Sequence, residues 1–158
     1  RDSNLSKIMK RICKIENISI TNEAEEFIIS ISSNSVRTMV NYLEKFKLLD
    51  CDIDINTAIK VCTNISFKDF ETYTDLCKNK KDYINSIKIL YNLIEKGYSV
   101  MDILDNYFMF VKVTKQLNDD EKYKVFQFIC KYITIFYDIH EDEIELALFT
   151  NNLISTFN

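Results

Sequence analysis

The sequence has no proline, no tryptophan, a single glycine and a single histidine among 158 residues. With one glycine the chain has no glycine-rich loop to wrap phosphate groups, and without proline it has no proline-rich ligand segment. With one glycine and no proline, the composition also differs from that of a flexible linker. We therefore predict an all-α fold built from long helices.

Cysteine chemistry is also restricted. The five cysteines are Cys13, Cys51, Cys62, Cys77 and Cys130. None belongs to a Cys-x-x-Cys pair, the count is odd, and His140 is the one imidazole, so neither a zinc site nor a disulfide framework fits. We predict no metal site and expect reduced, mostly buried thiols in an intracellular protein.

Charge and hydropathy narrow the classes further. A net charge of −4 argues against a nucleic-acid surface over the whole chain, and 47 % hydrophobic residues are ample for a core. No apolar run reaches the ~18 residues that cross a bilayer. Because the chain begins at Arg1 and not at methionine, we expect it to be part of something longer.

No catalytic residue can be assigned. His140 is flanked by Asp138, Glu141 and Asp142, which is typical of a solvated turn between helices. Consecutive acids at 119–121 suit a helix start, where negative charge meets the positive end of the helix dipole. A local basic edge formed by Lys78, Lys80 and Lys81 is more often a set of solvated lysines in a turn.

Apolar spacing predicts a first unit of short helices. Helical periodicity appears from Leu5 to Ile15, after a cap at Asn22, over about 36–49 and over 56–62. Segments 18–21 and 51–55 alternate and are predicted to pair as a two-stranded ribbon. The predicted inward residues of the second and third helices are Ala24, Phe27, Ile28 and Ile31, then Val36, Met39, Val40, Leu43 and Phe46.

Five further helices are predicted, at about 67–79, 82–96, 100–117, 119–138 and 142–156. Ser66 with Asp69, and Asn118 with Glu121, are candidate caps. The only glycine, Gly97, is expected to end a helix in a left-handed turn. Ser99 with Asp102 then forms a capping box that opens the next helix, and Tyr98 with Ile103 a hydrophobic staple.

Two helices, around 107–111 and 125–137, carry bulky apolar side chains nearly all round. Such helices need cover on more than one side, and aromatic residues are enriched at subunit interfaces. The alternative to a subunit interface is an unusually apolar helix at the centre of the domain. The interface candidates are Tyr107, Phe108, Phe110, Phe126, Phe128, Tyr132 and Phe136.

The stretch Leu90-Tyr91-Asn92-Leu93-Ile94-Glu95-Lys96-Gly97-Tyr98-Ser99, followed by Asp102-Ile103 and Asn106-Tyr107-Phe108, resembles the collar of replication factor C small subunits. Upstream, Asn34-Ser35-Val36-Arg37-Thr38-Met39-Val40-Asn41-Tyr42-Leu43-Glu44 resembles the family's Gly-Asp-x-Arg-x-x-x-Asn-x-Leu-Gln segment in the ATPase lid. Arg, Asn and Leu match, whereas Asn34, Ser35 and Glu44 depart from the family's pattern.

The resemblance implies two domains, most of an AAA+ lid at 1–64 and a helical collar at 65–158. It implies a heteropentameric ring with other clamp-loader subunits, which loads a sliding clamp on primed DNA in an ATP-dependent reaction. It assigns Arg37 as the sensor-2 arginine that reaches the terminal phosphate of nucleotide. The chain itself has no Gly-x-x-x-x-Gly-Lys segment, so we expect no cofactor in this region. The resemblance implies that ATP and Mg²⁺ bind the full-length protein.

Two other functions stay open on the sequence. A freestanding helical adaptor would bind one partner through its aromatic helices and would lack an upstream ATPase module. A helical nucleic-acid binder would use the lysine turn and show salt-dependent DNA affinity. The compartment implied by the resemblance is the nucleus of a eukaryotic cell or a viral replication site.

Overall fold

The computed structural model describes residues 2–138, 140 and 142–157. Within these residues the chain forms nine α-helices, one π-helical turn and one isolated bridge between Ile20 and Ile53. The predicted all-α fold is confirmed. The helices form two compact units, Arg1–Asn64 and Ile65–Asn158.

The first unit contains α1 (Asp2–Glu16), α2 (Asn22–Ile31), α3 (Val36–Leu49) and α4 (Ile55–Cys62). The predicted apolar face of α2 is buried completely, and Met39, Leu43 and Phe46 of α3 join it in the core. Val36, predicted to point inward, is 43 % exposed. At about 100° of rotation per residue it lies on the flank of the buried arc of α3, so the neighbouring helices do not cover it.

Local hydrogen bonds define the start of α2 and the size of the predicted ribbon. Thr21 caps α2, because its hydroxyl oxygen accepts from the Ala24 N–H at 3.3 Å; the prediction of Asn22 as the cap is wrong by one residue. The ribbon is reduced to a single parallel bridge, in which Ile53 donates to the Ser19 carbonyl at 2.8 Å. Helices begin at Asn22 and Ile55, which leaves the extended segments too short to pair further.

The second unit contains α5 (Phe67–Asp75), the π turn (Leu76–Lys80), α6 (Tyr83–Glu95), α7 (Val100–Val113), α8 (Asp119–Asp138) and α9 (Ile144–Thr156). The five predicted helices are therefore present. Helix α7 ends four residues before the predicted 117, because Thr114 takes an extended conformation (ψ 143°). Its hydroxyl oxygen accepts from the Gln116 N–H at 3.2 Å and stabilises the turn that follows.

The predicted hairpin between α6 and α7 is present. Gly97 has φ +98°, its N–H donates to Ile94 at 2.8 Å, and the Tyr98 N–H donates to Leu93 at 3.2 Å, which together form a Schellman motif. Ser99 and Asp102 exchange side-chain and main-chain hydrogen bonds at 3.0 and 3.1 Å. These local hydrogen bonds fix the turn between α6 and α7. The staple between Tyr98 and Ile103 stays a prediction.

Candidate subunit interface and nucleotide-sensing position

An aromatic cluster forms the core of the second unit and includes part of the predicted interface. The Tyr107 ring meets those of Tyr73 at 5.4 Å and Phe149 at 6.1 Å, both edge to face. Its hydroxyl lies 3.1 Å from the Thr74 hydroxyl. Burial raises the pKa of Tyr73 well above its ordinary value, as expected for a phenol enclosed by apolar groups. This cluster is core and is not available to a partner.

The prediction of an interface role is therefore wrong for three of the seven residues. Tyr107 is 1 %, Phe110 2 % and Tyr132 5 % exposed. Helix α7 contacts α5, α6 and α8 of its own unit, and this cover is what its all-round apolar pattern requires. Tyr132 packs edge to face on Phe149 at 5.5 Å.

The other four candidates, Phe108, Phe126, Phe128 and Phe136, are half-buried. The Phe108 and Phe126 rings lie 4.7 Å apart and join α7 to α8. The ammonium group of Lys112 lies 4.8 Å from the Phe108 ring centre, and burial lowers the pKa of Lys112. Each of the four side chains is thus only partly covered within its own unit, and their role at an interface stays a prediction.

Helix α8 is less apolar on its outer side than its sequence pattern indicates. Lys124, Gln127, Lys131 and Thr134 are exposed there. Val125 and Ile129 are fully buried on the opposite side. The half-buried Phe126 and Phe128 lie on its two flanks, so α8 has apolar surface at two edges and a polar ridge between them.

A more exposed apolar surface lies on α6 and α9, which the sequence analysis did not single out. We call it the α6–α9 patch and define it as Tyr83, Ile84, Ile144 and Leu148, with exposures of 40, 66, 59 and 49 %. The Tyr83 hydroxyl donates to the Ala147 carbonyl at 3.4 Å, which joins the two helices. The available signal was the apolar series Tyr83, Ile87, Tyr91, whose spacing of four marks one side of α6.

Arg37 is the second residue of α3. Its side chain is exposed, and it makes no hydrogen bond or ion pair with any residue that the structure describes. The first turn of α3 contains no acidic residue. The helix dipole and a guanidinium therefore both favour an anion at this position, and neither is neutralised locally.

The turn before Arg37 accommodates its departures from the family's Gly-Asp. Asn34 takes a left-handed conformation, φ +61°, which asparagine tolerates better than most residues with a side chain. Ser35 caps α3, because its hydroxyl oxygen accepts from the Thr38 N–H at 3.2 Å. The substituted pair thus retains the two local properties that a glycine and an aspartate would supply.

The lysine turn is largely paired. Lys78 lies 2.7 Å from Glu121, and Lys80 lies 3.4 Å from Asp75. Lys81 is exposed at a left-handed position, φ +51°. These contacts favour the structural interpretation of the turn over a basic nucleic-acid edge.

His140 is exposed, and its neighbour Glu141 lies outside the described residues. Across the described part of the chain, no cluster of histidine, cysteine and acidic side chains is arranged to hold a metal ion. Nor does any described helix combine the length and apolar character needed to cross a membrane.

Five helices around an aromatic core, with exposed apolar surface on α6 and α9, define a helical domain suited to association with other proteins. Residues 65–133, from the start of this unit to within α8, match the family described as the replication factor C C-terminal domain. This segment of the second unit is therefore similar to the C-terminal domain of replication factor C. The resemblance to replication factor C is confirmed for this segment. No curated protein matches the chain.

Proposed function

We propose that the chain is the lid and collar region of a replication factor C small subunit, acting in ATP-dependent loading of a sliding clamp on primed DNA. The observation that carries the proposal is the family match of residues 65–133. In this proposal the second unit assembles with other clamp-loader subunits into a heteropentameric ring. The first unit, at 1–64, is the lid that responds to nucleotide.

Assembly is assigned to the apolar surface of the second unit. The α6–α9 patch exposes side chains that cost free energy in water, and burial in an interface recovers roughly 25 cal/mol per Å². The half-buried side chains of Phe108 and Phe126 are a second candidate contact on α7 and α8. The polar outer ridge of α8 is expected to stay in solvent.

Nucleotide sensing is assigned to Arg37. Its exposed, unpaired guanidinium near the start of α3 is chemically suited to the terminal phosphate of ATP held by an adjoining ATPase module. ATP with Mg²⁺ would supply the phosphate charge that distinguishes the two nucleotide states. Arg37 would donate hydrogen bonds when that phosphate is present, and the lid would take up a different position when it is absent.

One experiment tests ring assembly and nucleotide sensing separately. It uses the full-length subunit, co-expressed with its ring partners. Leu148→Ser with Ile84→Ser should reduce recovery of the assembled ring, whereas Tyr123→Ser, an exposed aromatic on the outer side of α8, should not. Arg37→Ala should leave assembly intact and impair ATP-dependent clamp loading. Unchanged loading by Arg37→Ala would remove the sensor role. A full-length protein that forms no ring and has no ATPase module would favour the adaptor.

A further inference from the structure

A basic stripe lies on the outer side of α1 in the first unit. Lys7, Arg11 and Lys14 are exposed, and the rotation of about 100° per residue places them together, opposite the buried face of the helix. None of the three makes a hydrogen bond or ion pair with a described residue. Lys10, at one border of the stripe, lies 3.6 Å from Glu25 and so is partly neutralised.

The other border of the stripe is apolar. Ile8 and Ile15 are 38 and 65 % exposed, and on the helical wheel both lie between Arg11 and Ile12. Exposed apolar surface therefore lies directly beside unpaired cations on this helix. It offers two kinds of contact along a single edge of α1.

Beyond Ile12 this apolar border opens into a groove between α1 and α3. The groove has a volume of about 370 Å³. Its lining residues are Ile12, Glu16, Ile18, Val40, Leu43, Glu44, Lys47 and Leu48. Leu48 stands at the rim and is 85 % exposed. The basic stripe, the apolar border and the groove are thus adjacent on the surface of the first unit.

We propose that this surface binds an acidic amphipathic helix of another protein. Lys7 and Lys14 are two helical turns apart, so carboxylates one or two turns apart on the partner would face them. The apolar side of the same partner helix would cover Ile8 and Ile15 and place a large side chain in the groove beside Leu48. This is the helix-in-groove mode of recognition, with charge pairs setting the orientation.

Other anionic partners match only part of this surface. A nucleic-acid backbone would satisfy the three cations but leave Ile15 and Leu48 in water. An anionic bilayer is flat and would contact the ridge of α1 without filling the groove. The combination of cations with an apolar groove therefore favours a protein helix that is acidic on one side and apolar on the other.

The test measures binding of the full 158-residue chain to a labelled synthetic helix of about 18 residues, or five turns, with glutamates on one side and leucines on the other. Fluorescence anisotropy at low salt should show saturable binding. Exchanging the peptide's glutamates for glutamine, or its leucines for serine, should each abolish it. The combined variant Lys7→Gln, Arg11→Gln, Lys14→Gln should bind about tenfold more weakly, because three charge pairs are lost.

Two further variants make the result specific. Leu48→Ser should weaken binding without any change of charge. Lys60→Gln, Lys88→Gln, Lys131→Gln removes the same charge from exposed lysines elsewhere and should bind like the unaltered chain. Thermal unfolding of every variant excludes loss of fold as the cause.

The proposal is overturned if the peptide does not bind, or if the stripe variant and its charge-matched control lose affinity equally. A DNA duplex that binds more tightly than the peptide, and depends on the stripe, would assign this surface to nucleic acid. Tighter binding to phosphatidylcholine vesicles containing phosphatidylserine would assign it to a membrane. None of these outcomes involves Arg37 or the second unit, so they leave the proposed clamp-loader function standing.

Discussion

The ammonium group of Lys78 lies 2.7 Å from a carboxylate oxygen of Glu121. It also donates to the Gln116 carbonyl at 3.0 Å. The same oxygen of Glu121 accepts from the Asn118 N–H at 2.9 Å, at the start of α8. One carboxylate and one ammonium group therefore join the π turn, the α7–α8 connection and α8.

This junction predicts a stability loss for Lys78→Met. The substitution leaves Glu121 and the Gln116 carbonyl without their shared donor in a partly buried site, and should lower the free energy of unfolding by about 1–2 kcal/mol. Lys80→Met is the matched control, because its pair with Asp75 is 63 % exposed on the lysine side and should contribute little. Urea denaturation measures both. Equal losses would show that the junction is no stronger than a surface ion pair.

The same pair predicts a pH dependence. Burial alone would raise the pKa of Glu121, but the hydrogen bonds from Lys78 and Asn118 and the charge of Lys78 outweigh it and lower the pKa below its ordinary 4.5. A lowered pKa in the folded state stabilises the fold above the unfolded value and loses that contribution as the pH falls through the folded value. The free energy of unfolding should therefore decrease below pH 4.5.

Glu121→Gln should show a shallower decrease over the same acidic range, because the glutamine cannot titrate. Asp120→Asn, in the same first turn of α8, is the control that should retain the original slope. The measurement is a series of urea unfolding curves between neutral and acidic pH. Identical slopes for Glu121→Gln and the unaltered chain would contradict the assignment.

Gly97 supplies a prediction about backbone strain alone. A Cβ at this position would meet no atom within 4 Å, but its φ of +98° is unfavourable for a side chain. Gly97→Ala should therefore cost about 1–2 kcal/mol of the free energy of unfolding. Gly97→Asn should cost less, because asparagine tolerates positive φ. Equal costs for the two variants would point to a cause other than the backbone.

The buried pair of Thr74 and Tyr107 is suited to a double-mutant cycle. Tyr107→Phe or Thr74→Val alone leaves one hydroxyl without its partner at 3.1 Å and should cost about 1–2 kcal/mol. The double variant should cost less than the sum of the two single changes. Thermal or urea unfolding gives the coupling free energy. Strict additivity would mean that the two hydroxyls are satisfied independently.

Thiol labelling tests the burial of the cysteines. Cys51 and Cys130 are exposed, Cys62 is half-buried, and Cys13 and Cys77 are buried. Burial raises the pKa of Cys62 to about 12 and that of Cys77 to about 11, so both remain protonated and unreactive at neutral pH. Maleimide should label Cys51 and Cys130 rapidly and the other three only after unfolding. Fast labelling at Cys77, detected by peptide mass, would contradict the packing around the π turn.

The candidate site could be predicted only in part. Local chemistry located Arg37 at the start of a helix, and the structure places it there with an exposed, unpaired side chain. Aromatic content correctly marked α7 and α8 as helices that need much cover, but Tyr107 and Phe110 obtain it inside their own unit. The α6–α9 patch was missed because Ile144 and Leu148 resemble ordinary core residues until the packing of α9 is known.

The amino-acid sequence by itself determined the helical class, the hairpin at Gly97 and the cap at Ser99. These depend on interactions within a few residues: backbone freedom at one glycine, a hydroxyl beside free N–H groups, and apolar repeats near 3.6 residues. Only the tertiary structure decided that Val36 faces solvent, that α7 ends at Val113 and that the predicted ribbon is one bridge. Helical periodicity marks an apolar side but not the number of neighbours that cover it, and that number depends on residues distant in the chain.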